Sequence, residues 1–177
     1  MDLADSRFHP LNGDSHSGQV DPVAWAQQVA ERHALLLSGA TLAAVKRRLK
    51  AMVWIVRPAG RGREVLLLQR PDRRGGGWHP VTGKADAGEA PHLCAGREAF
   101  EETGLRGDLR ELGLSHTYEH RRHAFEEHAF VLRVPAGAEP RLSDEHVAHW
   151  WASPEDAHKA IEWSAHREAL DLALKGD

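Results

Sequence analysis

"GKADAGEAPHLCAGREAFEETGL", residues 83–105, gathers Glu89, Arg97, Glu98, Glu101 and Glu102 between two glycines, Gly83 and Gly104. The apolar positions from residue 90 to 103 recur with a 3.6 period, which predicts a helix, and Gly104 supplies its stop. At 100° per residue, Glu102 lies about 40° from Glu98 and Glu101 about −60° from it, so the three carboxylates share one sector. Leu93, Gly96, Phe100 and Thr103 fall opposite. They are the face expected to pack on a sheet, with Gly96 permitting close approach. A solvated charged face is the plain alternative for such a helix. Three clustered carboxylates repel one another unless something positive sits between them. Arg97 reaches Glu101 at i,i+4, and the remaining negative charge suits a hard divalent cation. Mg²⁺ or Mn²⁺ takes oxygen ligands of this kind, and Mg²⁺ commonly bridges to substrate phosphates.

The 177 residues suffice for one well-buried core, and 41% hydrophobic with 28% charged residues is ordinary globular usage. A formal charge of −3 gives no strong signal for nucleic-acid binding, so an anionic ligand has to meet local positive charge or metal. One cysteine, Cys94, excludes an intramolecular disulfide and suits a reducing cytoplasm. The first residues lack the basic start and apolar run of a signal peptide, and no apolar stretch approaches bilayer length. The expectation is a soluble cytoplasmic protein without membrane association.

Outward from the charged helix, "LKAMVWIV" and "EVLLLQR" read as strands joined by a hairpin loop at "RPAGRGR". "LRGDLRELGLSHTYEH", "HAFVLRV" and "HVAHWWA" supply further strands. "SPEDAHKAI" opens a helix with Ser153 as cap and Pro154 at its first position, and "SAHREALDLALK" closes the chain as an amphipathic helix. Strands before, between and after helices indicate α/β layering with a mixed sheet. Residues 1–20 read as a loose, disordered tail. Residues 21–47 read as a helical extension, begun by Asp21 and Pro22, and residues 48–177 as the main domain. The apolar face of the extension needs a partner, either this domain or a second copy in a homodimer.

The spacing Gly83, Glu89, Arg97-Glu98, Glu101-Glu102, Gly104-Leu105 resembles the box of the Nudix hydrolase family, with Ala99 where a larger aliphatic residue is usual. The resemblance implies an α/β/α sandwich around a mixed β-sheet over residues 48–175, with the N-terminal helical extension outside it. It also implies an enzyme in which water attacks a diphosphate linkage of a small-molecule substrate with the help of Mg²⁺ or Mn²⁺. Carried over residue by residue, Glu98, Glu101 and Glu102 are the expected metal ligands, and Arg97 is their orienting ion-pair partner. Glu89 either braces the loop between the structural glycines Gly83 and Gly104 or reaches the metal itself. Either a box glutamate or Glu145 is the general base, and Glu145 has a solvated loop acid as its alternative. Glu127, Arg70 and Lys84 are candidates for substrate contact, weighed against solvent-facing charge.

"GGGWHPVTGKADAGE", "EHVAHWWASPEDA" and "IEWSAHREALDLAL" look like the bacterial dihydroneopterin triphosphate diphosphatase branch. The dinucleoside polyphosphate hydrolases are the runner-up, and a nucleoside triphosphate is a further substrate to consider. A Nudix domain that binds nucleotide without catalysis is the alternative from another class, disfavoured because all the box acids are present. Trp78 is either a stacking platform for a flat ring or a buried anchor. Trp150 and Trp151 alternate faces, so one belongs to the core, and Cys94 reads as a buried thiol. His116, His120, His123 and His128 lie close in sequence, but their spacing matches no zinc arrangement and favours a polar strand edge.

Overall fold

The computed structural model describes residues 47–120 and 122–175, so the tail and the helical extension lie outside the described residues, apart from Arg47. Among these residues the chain forms seven strands. They are β1 Arg48–Ala59, β2 Gly62–Gln69, β3 Trp78–His79, β4 Val81–Lys84, β5 Asp108–His120, β6 His123–Arg133 and β7 Ala148–Ala152. Three helices accompany them, α1 Pro91–Thr103, α2 Pro154–Ala160 and α3 Ser164–Lys175.

The middle of β1, "AMVWIV", is buried on both faces, as a central strand covered by helices must be. It pairs parallel with β6 and antiparallel with β2 and β4, so the sheet is mixed. β4 takes the first half of β1 at Lys50–Val53, whereas β2 takes its end at Val56–Ala59 and then diverges to pair with β7 and β3. The hairpin is tighter than the sequence suggests. Pro58 remains within β1, and Gly60 alone in that turn takes a positive φ, of 55°. β5 pairs with β6 through an irregularity around Gly113.

Alternation along the strands divides the core. Met52, Trp54, Val65, Leu67 and Val131 face Ile161 of the α2–α3 connection and Ala169, Leu170 and Ala173 of α3. Ala51, Val53, Ile55, Leu66 and Phe130 face Cys94, Ala95 and Ala99 of α1. The expected packing face of α1 is therefore corrected. Leu93 is 57% and Phe100 43% exposed, while Cys94, Ala95, Ala99 and Thr103 are buried. Small side chains let the helix axis sit close to the sheet, and the large ones are turned outward. Gly96 is not needed for that approach, since a Cβ there would meet only Leu109 at an ordinary 3.7 Å. At the other end of the sheet, Ser153 caps α2 by accepting from the Asp156 N–H at 3.1 Å, as its sequence predicts.

Candidate active site

Gly83 fixes the geometry where α1 crosses β4. A Cβ built there would stand 1.7 Å from Glu98 Cδ, so only glycine leaves the strand open to that carboxylate. α1 starts with Pro91 at its first turn and stops at Gly104, whose φ of 69° and N–H to Phe100 O at 2.7 Å close the helix. From this helix Glu98, Glu101 and Glu102 enter a single cavity of about 590 Å³. Glu145 joins them from the loop after β6. That loop is tied to the end of α1 by Arg141 N–H to Thr103 O at 2.8 Å and Ser143 N–H to Glu102 O at 3.2 Å.

Arg97 organises the acids. Its guanidinium donates to both oxygens of Glu89 at 2.9 and 2.8 Å, to Glu98 Oε1 at 2.9 Å, to Glu101 Oε2 at 3.0 Å and to Lys84 O at 3.0 Å. Glu89 also accepts from the Asp86 N–H at 2.9 Å, so it closes the loop ahead of α1. The hydrogen bonds from Arg97 and then that from Asp86 hold the Glu89 carboxyl down at about 2. Glu102 has the opposite environment. Burial, followed by the charge of Glu98, pushes its carboxyl up to about 8, and its buried Oε2 makes no hydrogen bond. Burial likewise raises Glu98 despite its bonds to Arg97.

A buried carboxylate oxygen that makes no hydrogen bond, with His146 Nε2 3.8 Å away and three further acids in the cavity, fits a divalent cation bound through oxygen. Among the described residues no three acidic, imidazole or thiol side chains are already gathered around a common point. Arg97 engages Glu98 through Oε1 and Glu101 through Oε2, so the second oxygen of each carboxylate is not held by it.

Basic residues line the same cavity. Arg70, from the end of β2, lines the cavity and donates to Thr82 Oγ1 at 2.9 Å, and Lys84 lines it from β4. Lys50, Thr82 and Ser143 line it too, and none of these three was singled out from the sequence. Lys50 carried a signal, because a charged residue falls on the same inward face of β1 as Met52 and Trp54. Glu127 does not line the cavity. It is 3% exposed within β6 and paired with Lys50 at 2.8 Å. Trp78 also lies outside that lining, half-buried against the α3-side core with its ring edge-on to Trp150 at 5.8 Å. Trp151 packs on the α1-side core beneath the Arg57 guanidinium, 4.0 Å from the ring centre, while Trp150 is more exposed. The histidine-rich hairpin gathers no metal set among the described residues, and His128 lies instead between Glu111 and Glu126.

Comparison with known proteins agrees with this architecture. The NUDIX domain profile matches residues 46–173. The octanoyltransferase of Myxococcus xanthus is 38% identical over 120 residues, which is 64% of this chain; the chain spans about a third (34%) of that relative. A Caenorhabditis elegans Ap4A hydrolase superposes with a TM-score of 0.63 at 25% identity, over 71% of this chain and 93% of the other. The Escherichia coli dihydroneopterin triphosphate pyrophosphohydrolase gives the same TM-score at 23% identity, over 71% of this chain and 94% of the other. With the profile covering well over half of its residues, the chain belongs to the NUDIX family.

Proposed function

We propose that the cavity hydrolyses a phosphoanhydride bond in a nucleotide-like substrate, with Mg²⁺ or Mn²⁺ as cofactor. The observation that carries this reading is the meeting of Glu98, Glu101, Glu102 and Glu145 with Arg70 and Lys84 in one polar space. Such a space suits a metal-bound polyphosphate, since acids face the cation and bases face the phosphate oxygens. Glu98, Glu101 and Glu102 would hold the metal. When bound, the cation supplies charge neutralisation of the anhydride and a more acidic water.

The remaining roles belong to side chains. Arg97 orients Glu98 and Glu101 and, through Glu89, holds the loop around them. Arg70 and Lys84 contact phosphate oxygens. Glu145 and Glu102 are the two acids able to accept a proton from attacking water; Glu145 is reached from a loop pinned to α1, and Glu102 has a free lone pair in the buried wall. Dihydroneopterin triphosphate or a nucleoside triphosphate is the preferred substrate, and a dinucleoside polyphosphate is the second choice. Both choices have a relative of that activity among the similar folds. Octanoyl transfer is not carried over, because the charged lining offers no surface to a fatty chain.

Phosphate or pyrophosphate release from a panel of these compounds, with and without Mg²⁺, tests the reading. Metal-dependent turnover of one of them is expected. Tight binding without turnover of any would favour a domain that only binds nucleotide.

A further inference from the structure

The loop that brings Ser143 and Glu145 to the cavity turns His146 inward. Glu145 and Val147 on either side of it are exposed, whereas His146 is buried. Anchoring alone does not call for an imidazole there. The backbone already holds the loop, through Arg141 N–H to Thr103 O, Ser143 N–H to Glu102 O and Val147 N–H to Gln69 O. An apolar side chain of similar volume would fill the space without the cost of burying polar nitrogens. What the imidazole adds is directed at Glu102. Its Nε2 lies 3.8 Å from Glu102 Oε2, the buried carboxylate oxygen that makes no hydrogen bond.

Behind His146 stands His79 of β3, with the two ring centres 5.2 Å apart. His79 Nδ1 lies 2.7 Å from Pro80 O, a pure acceptor, so the ring proton sits on Nδ1. Burial, followed by the charge of Arg70, lowers His79 to about 3 and keeps it neutral. Its buried Nε2 is therefore a bare lone pair with no proton to offer Glu102. His79 packs against the ring of His146, and His146 supplies the N–H. At 3.8 Å the pair is short of a hydrogen bond, but the terminal torsion of a glutamate is broad, so closing the gap costs little. A carboxylate oxygen has two lone pairs, and an imidazole on one leaves the other for the cavity. We propose that His146 is a positioning residue for Glu102, its Nε2–H holding Oε2 so that the carboxylate is aimed at a divalent cation in the cavity. A partner behind a metal ligand fixes that ligand's orientation and so sets metal affinity without touching the metal. This inference rests on reading the cavity as a metal-dependent phosphoanhydride site.

The test uses the full chain and Mn²⁺ alone, with affinity read from the EPR signal of free Mn²⁺ and no substrate present. His146→Gln keeps an amide N–H near the place of Nε2, whereas His146→Asn moves it to the place of Nδ1. The two variants thus differ in reach and little in polarity. His146→Asn should bind Mn²⁺ about 10-fold more weakly than the native protein, and His146→Gln should stay within about 3-fold of native. In a Glu102→Gln background, His146→Asn should weaken Mn²⁺ binding no further, because the group it acts through is gone. Native affinity in both variants, an equal loss in both, or an undiminished loss from His146→Asn when Glu102 is replaced overturns the role of His146. A native protein that binds Mn²⁺ and hydrolyses a polyphosphate while both variants match it sinks this inference alone. A native protein that neither binds Mn²⁺ nor hydrolyses any polyphosphate sinks the reading of the site as well.

Discussion

Glu127 offers the sharpest test of the electrostatics, because its environment fixes both the sign and the size of an effect. Burial alone would raise its carboxyl. The His166 imidazole 3.6 Å away and the charge and hydrogen bond of Lys50 outweigh burial and leave it at about 2. In the unfolded chain a glutamate titrates near 4.3. A carboxylate depressed on folding stabilises the native state above its unfolded pKa, and that contribution is lost as pH falls through the folded value. The window is therefore between about pH 5 and pH 2, and the shift of roughly two units corresponds to about 3 kcal/mol. Glu127→Gln should cost about that much at pH 7. It should cost progressively less on acidification, so that variant and native protein converge near pH 2. Urea unfolding at pH 7, 5, 4 and 2.5, followed by tryptophan fluorescence, measures the gap directly. Taking the difference between the two proteins cancels the general effect of acid on the other carboxylates. A gap that stays constant from pH 7 to pH 2.5 refutes the claim that Lys50 and His166 hold this carboxylate ionised.

Glu102→Gln should lower kcat by about 100-fold or more, since it removes a group in the reacting cavity. In EDTA the same variant should melt at a higher temperature than native at pH 8 and equally at pH 4. A carboxyl raised to about 8 by burial costs stability as pH climbs from its unfolded value towards the folded one. Gly83→Ala should displace the Glu98 carboxylate and reduce kcat by about 10- to 100-fold, with a small change in melting temperature, because the collision is with a side chain rather than with backbone. Trp78→Ala should destabilise the fold by about 3 kcal/mol through lost packing against Trp150 and the α3-side core. If Trp78 also stacks on the substrate ring, kcat/KM falls further for pterin or nucleotide substrates than for inorganic polyphosphate, and equal losses on both would leave it a purely structural anchor.

The candidate site was most legible where its residues are close in sequence. The spacing from Gly83 to Gly104 brings the acids to one side of a helix whatever the sheet does, and Arg97 is within reach of Glu101 by helical geometry alone. The packing of that helix was less legible, because residue size pointed the wrong way. Leu93 and Phe100 look like core but face outward, while Cys94, Ala95 and Ala99 touch the sheet. Periodicity identifies a face, but a helix that must sit close to β1 buries small side chains there. The basic wall was half legible. Arg70 and Lys84 are adjacent to motifs, whereas Lys50 is 33 residues before Gly83 and joins the cavity only through the β1–β4 and β1–β6 registers. Glu127 shows the same dependence, since its partner is set by strand order and not by anything beside it in the chain. The central strands followed from short apolar runs bounded by Gly and Pro, and the hairpin at Pro58 is shorter than those residues suggest because a proline near a strand end interrupts less than its reputation suggests.

Cys94 makes the junction between α1 and the sheet observable. Its thiol is fully buried, within 3.9 Å of Gly83 O, and burial followed by the charges of Glu89 and Glu98 pushes it up to about 11. A thiol in that state reacts with an aromatic disulfide reagent only when the helix lifts from β4, the same movement that would separate Glu98 from Gly83. As the single sulfhydryl in the chain, it needs no competing sites removed. Its labelling rate therefore times the breathing of the reaction centre, and a metal or polyphosphate that clamps the two elements together would register as a slower clock.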